Sequence, residues 1–385
     1  MNRALPVLAS QAFGGNLLVR GIAGRKLSEL LSEPQDALFT LVANQRVAVT
    51  GSDGTTALRW LDLAGLAALD LTYNGDEHVV LGGDQPVPAP VYFLGQESGR
   101  EQGGTLRLAV DVAAAPASWT ETVRLQDLRS LMPLLPPQDL AIAGQAMALS
   151  QWHQAHLFCS RCGAPSVAVD GGARRQCTAH DAHRHYPRTD PVVIMLVESP
   201  DGGSALLGRS KKMRGGMLTC LSGFVDQGEG IEEAVRRETR EEAGIEVAAV
   251  DIVGSQPWPV GRGGSCELMV GCIARATATS ITVDPVEMEE VRWVSKADVG
   301  KAVQASASPE SPYYSKGSKP GGSPLAAPPA AFFVPPPIAI AHHLLRKWAA
   351  HDGPWFAPEA QPPQLQLGQH EQQVEQPEPA AVSNL

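Results

Sequence analysis

The sequence predicts an α/β fold for the second half of the chain, preceded by a small metal-dependent segment and an α+β domain. Three observations lead to this prediction. After Pro191, strand-like apolar runs alternate with helix-like stretches. From Cys159 to about Arg188 the chain contains Cys, His, Gly and Arg but too few apolar residues for a core of its own. Before that segment, short apolar runs are separated by Gly, Pro and Asp.

Length, charge and cysteine content narrow the classes of protein. The chain has 385 residues, enough for two or three domains, and its 43% hydrophobic content is ample for a core. Its formal net charge of −10 argues against general binding to nucleic acid. No apolar run approaches the roughly 18 residues of a membrane span. Six cysteines are too few for a disulfide scaffold, so the Cys-x-x-Cys pair indicates a metal site.

Local patterns predict the elements in order. The runs HVVLGG, VYFLG and LRLAVDV predict strands, and DLAIAGQAMALSQWHQAHLF predicts a helix. Strands are next predicted for VVIMLVE, SALLGRS, VAAVDIVGSQPW, CELMVGCIARAT and EEVRWVS, and a last helix for IAIAHHLLRKWAA. The regions we expect are an N-terminal domain at 1–155, a metal ribbon at 156–190, an α/β domain at 191–300 plus 331–351, a flexible Pro/Ser/Ala-rich insertion at 301–330, and a disordered tail at 352–385.

A helix within GFVDQGEGIEEAVRRETREEAGI, residues 223–245, turns acidic residues toward its apolar side. At about 100° per residue, one face contains Ile231, Ala234, Val235, Glu238, Glu241 and Glu242. Converging buried carboxylates repel one another, and a divalent cation with oxygen ligands removes that cost. The alternative, a solvated helix rich in Glu and Arg, does not explain acids on the apolar face. The pattern therefore indicates a metal site facing a cleft.

The same segment resembles the Nudix box. Gly223, Glu229, the Arg237-Glu238 pair, the Glu241-Glu242 pair and Gly244-Ile245 match its fixed positions, and Thr239 is a mild departure. The resemblance implies the Nudix fold, a mixed sheet between helices, and Mg²⁺- or Mn²⁺-dependent hydrolysis of a nucleoside diphosphate linked to another group. It implies that Glu238, Glu241 and Glu242 bind the catalytic metal, with Glu229 a weaker candidate. Arg237 would orient a glutamate, and the general base stays open.

The stretch SQPWP, Ser255 to Pro259, resembles the signature of the NADH pyrophosphatase subfamily. The spacer from Pro259 to Ser265 is longer than in bacterial members and nearer to the plant type, and a Pro-flanked loop with a core Trp is the alternative. YPRTDPVVIMLV and IAIAHHLL match as well. The resemblance implies an adenine sandwiched by Phe224 and Tyr186 and a site shared across a homodimer. It also implies further substrate contacts from Gln256, Trp258, Ser265, Met269 and Ala341, and a further metal-binding acid at Glu290, with Glu289 its rival.

The subfamily also has a four-cysteine zinc ribbon, from which this chain departs. Cys159, Cys162 and Cys177 are present, but no fourth cysteine follows at the expected place. Imidazole is an accepted zinc ligand, so we expect one structural zinc per chain with His180 as the fourth ligand and His183 as the alternative. A degenerate ribbon with free thiols is the competing interpretation. His185 is expected to be a surface residue.

These resemblances imply hydrolysis of the diphosphate bond of NADH, and also of NAD⁺ and NADPH, to nicotinamide mononucleotide (reduced, from NADH) and AMP. The alternatives are removal of NAD caps from RNA, which the acidic charge disfavours, and a non-catalytic Nudix reader or zinc-ribbon adaptor. The sequence does not rank these substrates. The last three residues, Ser383-Asn384-Leu385, resemble a peroxisomal signal, which implies an import receptor as partner and a peroxisomal location; cytoplasm and plastid are the alternatives.

Overall fold

The computed structural model of the chain describes residues 12–21, 26–32, 36–51, 55–74, 78–83, 85–97, 104–213, 215–308, 311 and 332–356. Among the residues so described, no helix combines the length and hydropathy needed to cross a membrane. The fold consists of an N-terminal mixed sheet, a small three-stranded sheet and a second mixed sheet that carries the acidic helix.

The N-terminal sheet has the strands β1 Ala37–Ala43, β2 Arg46–Thr50, β3 Ala57–Leu58, β4 Leu71–Tyr73, β5 His78–Leu81, β6 Val87–Gln96, β7 Leu106–Asp111 and β8 Leu125–Asp127. Its helices are α1 Leu27–Ser32, α2 Leu63–Ala67, α3 Ala117–Thr120, α4 Leu128–Leu131 and α5 Pro137–Ala155. The strand order is β3-β2-β1-β7-β6-β5-β4, with β8 against β2. Strands β1 and β7 pair in parallel. Helix α5 buries Leu140, Ala143 and Met147, spaced three and four residues apart, against this sheet.

The metal-dependent segment forms an antiparallel sheet of β9 Ser166–Val169, β10 Arg174–Cys177 and β11 Arg184–His185. The buried guanidinium of Arg175 connects this small sheet to helix α5. This group donates to Ser166 Oγ at 2.8 Å and lies 3.1 Å from His153 Nδ1. His153 in turn stacks on Tyr92 of the N-terminal sheet, with ring centroids 4.7 Å apart. The small sheet therefore shares a polar core with the N-terminal domain.

The second mixed sheet has the strands β12 Asp190–Glu198, β13 Ser204–Ser210, β14 Leu221–Phe224, β15 Val247–Trp258, β16 Glu267–Ala276 and β17 Met288–Ser295. The strand order is β15-β16-β12-β13-β17, and β14 pairs with the first half of β12. Strands β12 and β16 are parallel. The helices are α6 Ile231–Ala243, α7 Lys296–Ser306 and α8 Ile340–Ala349, with a short 3-10 turn at Arg262–Gly264.

Helices cover both faces of this sheet, as the predicted Nudix fold requires. Val193 and Met195 of β12 belong to the apolar cluster that contains Val235 of α6. Ile194 and Leu196, which point the other way, belong to the cluster with Leu344 of α8. Because β12 is buried on both faces, it is a continuous apolar run rather than an alternating one. We call these the α6 face and the α8 face.

Two predicted region borders are wrong. Helix α7 continues to Ser306, six residues into the predicted flexible insertion, because Val299, Ala302 and Val303 form a buried stripe. Trp355, predicted to lie in a disordered tail, donates its backbone N–H to the buried carboxylate of Glu198 at 2.9 Å. The rest of the predicted insertion from residue 312 to 331, the tail from 357 and the tripeptide at 383–385 lie outside the described residues.

Candidate active site and zinc cluster

Helix α6 is fixed at both ends by local contacts. The Glu233 carboxylate accepts from the Gly230 backbone N–H at 2.7 Å, which satisfies a donor that the first turn leaves free. Gly244 ends the helix with φ of 66°, a left-handed conformation that favours glycine. Its N–H donates to the Arg240 carbonyl at 2.8 Å. The predicted helix and its end are thus confirmed, and its acidic positions are held on a rigid element.

Arg237 binds three of the predicted metal-site glutamates at once. Its Nη2 donates to Glu229 Oε2 at 2.8 Å, and its Nη1 donates to Glu238 Oε1 at 2.8 Å and to Glu241 Oε2 at 3.0 Å. The same Nη2 donates to the Phe224 backbone carbonyl at 2.8 Å. These hydrogen bonds lower the pKa of Glu229 below its ordinary value. One guanidinium thereby joins α6, the preceding loop and β14.

Glu242 is the deepest acid of the cluster and is incompletely bonded. The residue is 8% exposed, and its Oε2 has no hydrogen-bond partner among the described residues. Burial, together with the neighbouring carboxylates of Glu238 and Glu287, raises the pKa of Glu242 to about 8. Burial also raises the pKa of Glu238, against the opposing effect of Arg237. The cluster therefore brings together more carboxyl groups than Arg237 alone can keep ionised.

An acid that the sequence interpretation missed, Glu287, lies at this cluster. The chain before it runs along the end of α6: Thr282 N–H donates to the Ala243 carbonyl at 2.8 Å and Asp284 N–H to the Glu242 carbonyl at 3.3 Å. From there, the Glu287 carboxylate raises the pKa of both Glu238 and Glu242. Glu287 is exposed, so it can reach a ligand from the rim of the cluster.

The predicted metal-binding acid Glu290 lies elsewhere, which corrects the prediction. Glu290 pairs with Arg209 at 3.2 Å and with Arg292 at 3.3 Å. Arg292 packs over the ring of Phe332, on the α8 face. Its rival Glu289 is the extra residue of a β-bulge and also pairs with Arg209, at 3.5 Å. The bulge shifts the alternation of β17, so Met288 faces α6 while Glu290 faces the opposite side.

The residues at the α6 cluster fit a divalent cation. The donors are carboxylate oxygens, which are the ligands that Mg²⁺ and Mn²⁺ prefer. The unpartnered Glu242 Oε2 supplies a buried acceptor that a cation would satisfy. Glu241 is the most exposed of the three predicted metal-binding acids on α6, with a side chain 59% exposed, and it lies at the solvent side of the cluster. Glu238, Glu241, Glu242 and Glu287 can therefore hold the metal, and Glu229, which Arg237 also binds, is a further candidate.

The two aromatic rings predicted to sandwich a base are both accessible. Phe224 is 49% exposed and Tyr186 is 62% exposed. Phe224 ends β14, opposite Val192 of β12, and Tyr186 lies four residues before β12 begins at Asp190. Both rings therefore lie toward the same end of β12, and the Phe224 carbonyl is bonded to Arg237.

Gln256 is a structural clamp, which corrects its predicted role in substrate contact. It is 1% exposed, and it lies within β15 rather than on a loop. Its Nε2 donates to the carbonyls of Ala12 and Ile338 at 2.9 and 2.8 Å, and its Oε1 accepts from Ile340 N–H at 2.8 Å. Both N–H donors of this amide are used within the protein, and its oxygen accepts one bond there. Gln256 instead joins the N-terminal segment to the start of α8.

The other predicted substrate contacts divide between buried and accessible positions. Trp258, half-buried, packs edge-on against Phe13 with ring centroids 5.8 Å apart. Met269 and Ala341 pack in the apolar cluster of the α8 face, where Ala341 is 3% exposed. Ser265 Oγ donates to Glu267 Oε1 at 2.9 Å at the start of β16. Ser265 and Trp258 thus remain near solvent, whereas Met269 and Ala341 contribute to the core.

Four side chains of the three-stranded sheet form a metal-type cluster. The ligand atoms of Cys159, Cys162, Cys177 and His183 all lie within 4.8 Å of one another. Cys162 Sγ is 3.6 Å from Cys177 Sγ, and Cys159 Sγ is 3.5 Å from His183 Nδ1. Tetrahedral zinc with Zn–S of about 2.3 Å separates its sulfurs by about 3.8 Å, so the donors fit structural zinc. Burial raises the pKa of Cys159, but hydrogen bonds from Arg161 and His185 outweigh it and bring the pKa to about 5.

The fourth member of this cluster is His183, the alternative, and not the favoured His180. Residues 180–183 form a turn in which His183 N–H donates to the His180 carbonyl at 3.1 Å. The His183 carbonyl then accepts from Cys177 N–H at 3.1 Å, which brings His183 beside the sulfurs and leaves His180 exposed. His185 is also more than a surface residue, because its Nε2 lies 3.3 Å from Cys159 Sγ.

Comparison with known families finds three domain models along the chain. Residues 36–152 match the NADH pyrophosphatase-like rudimentary NUDIX domain. Residues 154–186 match the NADH pyrophosphatase zinc ribbon domain. Residues 188–314 match the NUDIX domain. The three matches follow one another in the order that the sequence resemblance predicts.

Three curated relatives illustrate the similarity. NAD-capped RNA hydrolase NUDT12 of Homo sapiens is 36% identical over 66% of this chain and 53% of its own length. Nudix hydrolase 19, chloroplastic, of Arabidopsis thaliana is 42% identical over 54% and 52%. NAD(P)H pyrophosphatase NUDT13, mitochondrial, of Homo sapiens is 36% identical over 58% of each. The chain spans about half the length of these relatives. Its three successive domain matches confirm the predicted family: the chain belongs to the NADH pyrophosphatase subfamily of the Nudix family.

Proposed function

We propose that this protein hydrolyses the diphosphate bond of NADH, giving reduced nicotinamide mononucleotide and AMP, with NAD⁺ and NADPH as further substrates. The observation that carries the proposal is the unpartnered buried oxygen of Glu242 beside further carboxylates, in a chain of the NADH pyrophosphatase subfamily. Carboxylates clustered on the apolar side of a helix lower the stability of the fold unless a cation and its anionic substrate compensate their charge.

The proposed metal ligands are Glu238, Glu241 and Glu242 of α6. Glu287 is proposed as the fourth acid, in place of Glu290, which the sequence resemblance had implied. When bound, Mg²⁺ or Mn²⁺ offsets the charge that develops on the phosphoryl oxygens. Water forms the new P–O bond at one phosphorus, and the bridging oxygen leaves with the other mononucleotide. Arg237 holds the Glu238 and Glu241 carboxylates in place and ties them to β14.

The substrate's adenine would stack between the exposed rings of Phe224 and Tyr186, since aromatic rings bind a nucleobase by stacking and need no charged group. We propose a homodimer in which this cleft is shared. Ser265 and Trp258 are the remaining accessible candidates for substrate contact.

Removal of NAD caps from RNA is the second candidate. It is supported by relatives that are named NAD-capped RNA hydrolases, in Homo sapiens and in Stutzerimonas stutzeri. It uses the same diphosphate bond and the same carboxylates. The net charge of −10 makes an extended RNA track less favourable than a free dinucleotide.

We propose that the protein is located in an organelle or in the cytoplasm. Relatives with chloroplastic and mitochondrial names support an organelle in those proteins. The peroxisomal prediction, with its import receptor, depends on residues 383–385, and imaging of the full chain with and without Ser383-Asn384-Leu385 would test it.

The experiment is product chromatography from a panel of substrates with Mg²⁺ and with Mn²⁺. The panel contains NADH, NAD⁺, NADPH, ADP-ribose and NAD-capped RNA at matched concentrations. We expect reduced nicotinamide mononucleotide and AMP from NADH at the highest kcat/KM. Turnover of capped RNA alone would replace the proposal with the second candidate, and no turnover of any substrate would support a non-catalytic reader or adaptor.

Two variants of α6 provide the matched control for this assay. Glu241→Gln removes a carboxylate from the cluster and should lower kcat at least about 100-fold, the scale of losing a transition-state stabiliser. Glu232→Gln makes the same change on the exposed side of the same helix and should retain the wild-type rate. Equal rates for both variants at saturating Mg²⁺ would remove Glu241 from the proposed ligand set.

A further inference from the structure

His185 lies between the zinc-type cluster and the aromatic ring of Tyr186. It is the last residue of β11, and it pairs with Arg175 of β10. Tyr186 follows it directly in the chain and is one of the two exposed rings proposed to stack on adenine. The proposed hydrolysis gives a role to Tyr186 but none to its neighbour, whose side chain is directed at the cluster.

The His185 ring contacts a cluster sulfur without being needed as a ligand. Its Nε2 lies 3.3 Å from Cys159 Sγ, and its Nδ1 lies 3.5 Å from Ser160 Oγ. The tautomer that satisfies both contacts carries its proton on Nε2, donates to the sulfur and accepts from the serine hydroxyl. The four ligand atoms of the cluster already supply the number that structural zinc takes. His185 therefore holds the sulfur from outside, as partners of metal ligands commonly do.

The chain between His185 and β12 has few other backbone contacts. Across the part of the chain that the structure describes, no backbone–backbone hydrogen bond involves residues 186–189. Pro187 lacks an N–H and restricts Tyr186 to an extended backbone. The next fixed point is Asp190, whose N–H donates to the Cys266 carbonyl at 2.8 Å. The orientation of Tyr186 therefore depends strongly on how His185 is held.

The alternation of side chains links the two rings. Successive side chains of an extended chain point to opposite sides, so a His185 ring at Cys159 directs Tyr186 away from the cluster. The exposure of Tyr186, 62%, agrees with this direction. If the His185 ring left the sulfur, the extended segment could turn about its own axis. The Tyr186 ring would then move relative to Phe224, the other proposed stacking ring.

We infer that His185 is a positioning residue, whose hydrogen bond to Cys159 holds the Tyr186 ring in the orientation that stacks on a nucleobase. The cysteine and histidine cluster then contributes to nucleotide affinity as well as to the stability of the small sheet. The inference rests on the proposed adenine site, because His185 acts through Tyr186 and touches no substrate itself.

The test is AMP binding to the full chain with its zinc, measured by calorimetry without Mg²⁺. Tyr186→Ala should weaken AMP by about 5- to 150-fold, the range for losing a stacking ring. His185→Ala should reproduce part of that loss, at least about threefold, because the ring is no longer oriented. His185→Gln places an N–H at a similar reach and should restore most of the affinity.

Zinc content is measured on the same samples. Loss of an outer partner typically lowers metal affinity by about 10- to 100-fold, which leaves a tight structural site occupied. His185→Ala should therefore still carry about one zinc per chain. The control is His180→Ala, an exposed histidine of the same segment, which should bind both AMP and zinc as wild type does.

A double variant separates positioning from general destabilisation. In a Tyr186→Ala background, His185→Ala should cause no further loss of AMP affinity, because a residue that acts only through the ring has no effect once the ring is gone. Additive losses, full AMP affinity in His185→Ala, no rescue by His185→Gln, or loss of zinc from His185→Ala would each overturn the inference.

The proposed function fails in a different way from this inference. Unchanged AMP affinity in Tyr186→Ala, or no AMP binding by wild type, would remove the adenine site and the role of His185 with it. Failure of the proposed hydrolysis appears instead as absent turnover in the separate substrate panel.

Discussion

The carboxylate of Glu238 lies directly against the backbone of Gly223. A Cβ built at Gly223 would fall 1.9 Å from the Glu238 carboxyl carbon and 2.0 Å from its Oε1. The glycine of β14 therefore lets a helix carboxylate lie in contact with the strand, and Arg237 Nη1 holds that carboxylate from the other side at 2.8 Å. This relationship gives a physical reason for glycine at the first position of the box.

Gly223→Ala should displace the Glu238 carboxylate without unfolding the sheet, because the backbone of Gly223 lies outside the left-handed region. Misplacing a metal-site carboxylate by about 1 Å should lower kcat/KM for NADH by about 10- to 100-fold. Steady-state kinetics and a thermal melt measure the two effects. The control is Gly215→Ala, where the added Cβ meets only Arg209, at 3.6 Å. A Gly223→Ala enzyme with wild-type kinetics would show that Glu238 is not needed at this position.

A pair of variants at Glu287 and Glu290 tests which of these two acids contributes to metal binding. Glu287→Gln removes a carboxylate that raises the pKa of Glu238 and Glu242, and should raise the Mg²⁺ concentration for half-maximal activity at least about 10-fold. Glu290→Gln breaks only the pairs with Arg209 and Arg292 on the opposite face and should leave that concentration unchanged. A metal titration of activity compares them. The reverse result would return the metal-ligand role to Glu290.

Local periodicity predicted α6 and its acidic stripe, because both depend on residues within one helix. The assignment of Glu290 failed for a reason that is not local. The β-bulge at Arg209 and Ser210 adds Glu289 to β17, and an inserted residue exchanges the two faces of a strand. Counting residues back from Trp293 cannot detect it.

The roles of Gln256 and His183 could not be predicted from the sequence, also because they depend on contacts that are not local. Gln256 bonds Ala12 across a separation of 244 residues, a contact that a strand-like motif does not encode. His183 takes the place of His180 because the chain turns at 180–183. The turn brings the His183 carbonyl to the Cys177 N–H, beside the cysteine sulfurs. The residue types of both sites were visible in the sequence, but their partners are set by tertiary packing.

The buried carboxyl of Glu242 should make the stability of the metal-free cluster depend on pH. Burial raises its pKa to about 8, whereas an unfolded chain gives about 4.3. Between these values the folded state holds a proton that the unfolded state has lost, so stability is highest at the acidic end and falls as pH rises toward 8. Melting temperatures from pH 5 to 8.5 without added Mg²⁺ or chelator measure the slope.

Glu242→Gln removes this titration and serves as the comparison. Its melting temperature should fall less than that of wild type over the same pH range. Saturating Mg²⁺ should flatten the wild-type slope as well, because the cation stabilises the ionised carboxylate. Parallel curves for wild type and Glu242→Gln would show that Glu242 is ionised in the folded protein throughout.

The fourth zinc ligand is decided by metal analysis of two histidine variants. Wild type and His180→Ala should carry about one zinc per chain, since His180 lies outside the cluster of four ligand atoms. His183→Ala should lose most of its zinc and melt earlier, because the small sheet has little apolar core and is fastened to α5 through Arg175. Full zinc in His183→Ala would contradict the ligand set, with His185 as the next ligand to examine.

The last prediction concerns the SQPW stretch and separates stability from substrate binding. Gln256→Leu leaves the Ala12 carbonyl and the Ile340 N–H without their partner, whereas the Ile338 carbonyl keeps its bond from the Ala12 N–H at 3.2 Å. Groups buried without partners cost about 1–3 kcal/mol each, so the free energy of unfolding should fall by about 2–5 kcal/mol. The KM for NADH should stay near its wild-type value below the melting temperature, because the amide faces the protein and not the cleft. Gln304→Leu, an exposed change on α7, is the control and should alter neither quantity. A Gln256→Leu enzyme with unchanged stability and a KM raised for NADH but not for ADP-ribose would restore Gln256 to substrate recognition, and would show that its clamp opens when the dinucleotide binds.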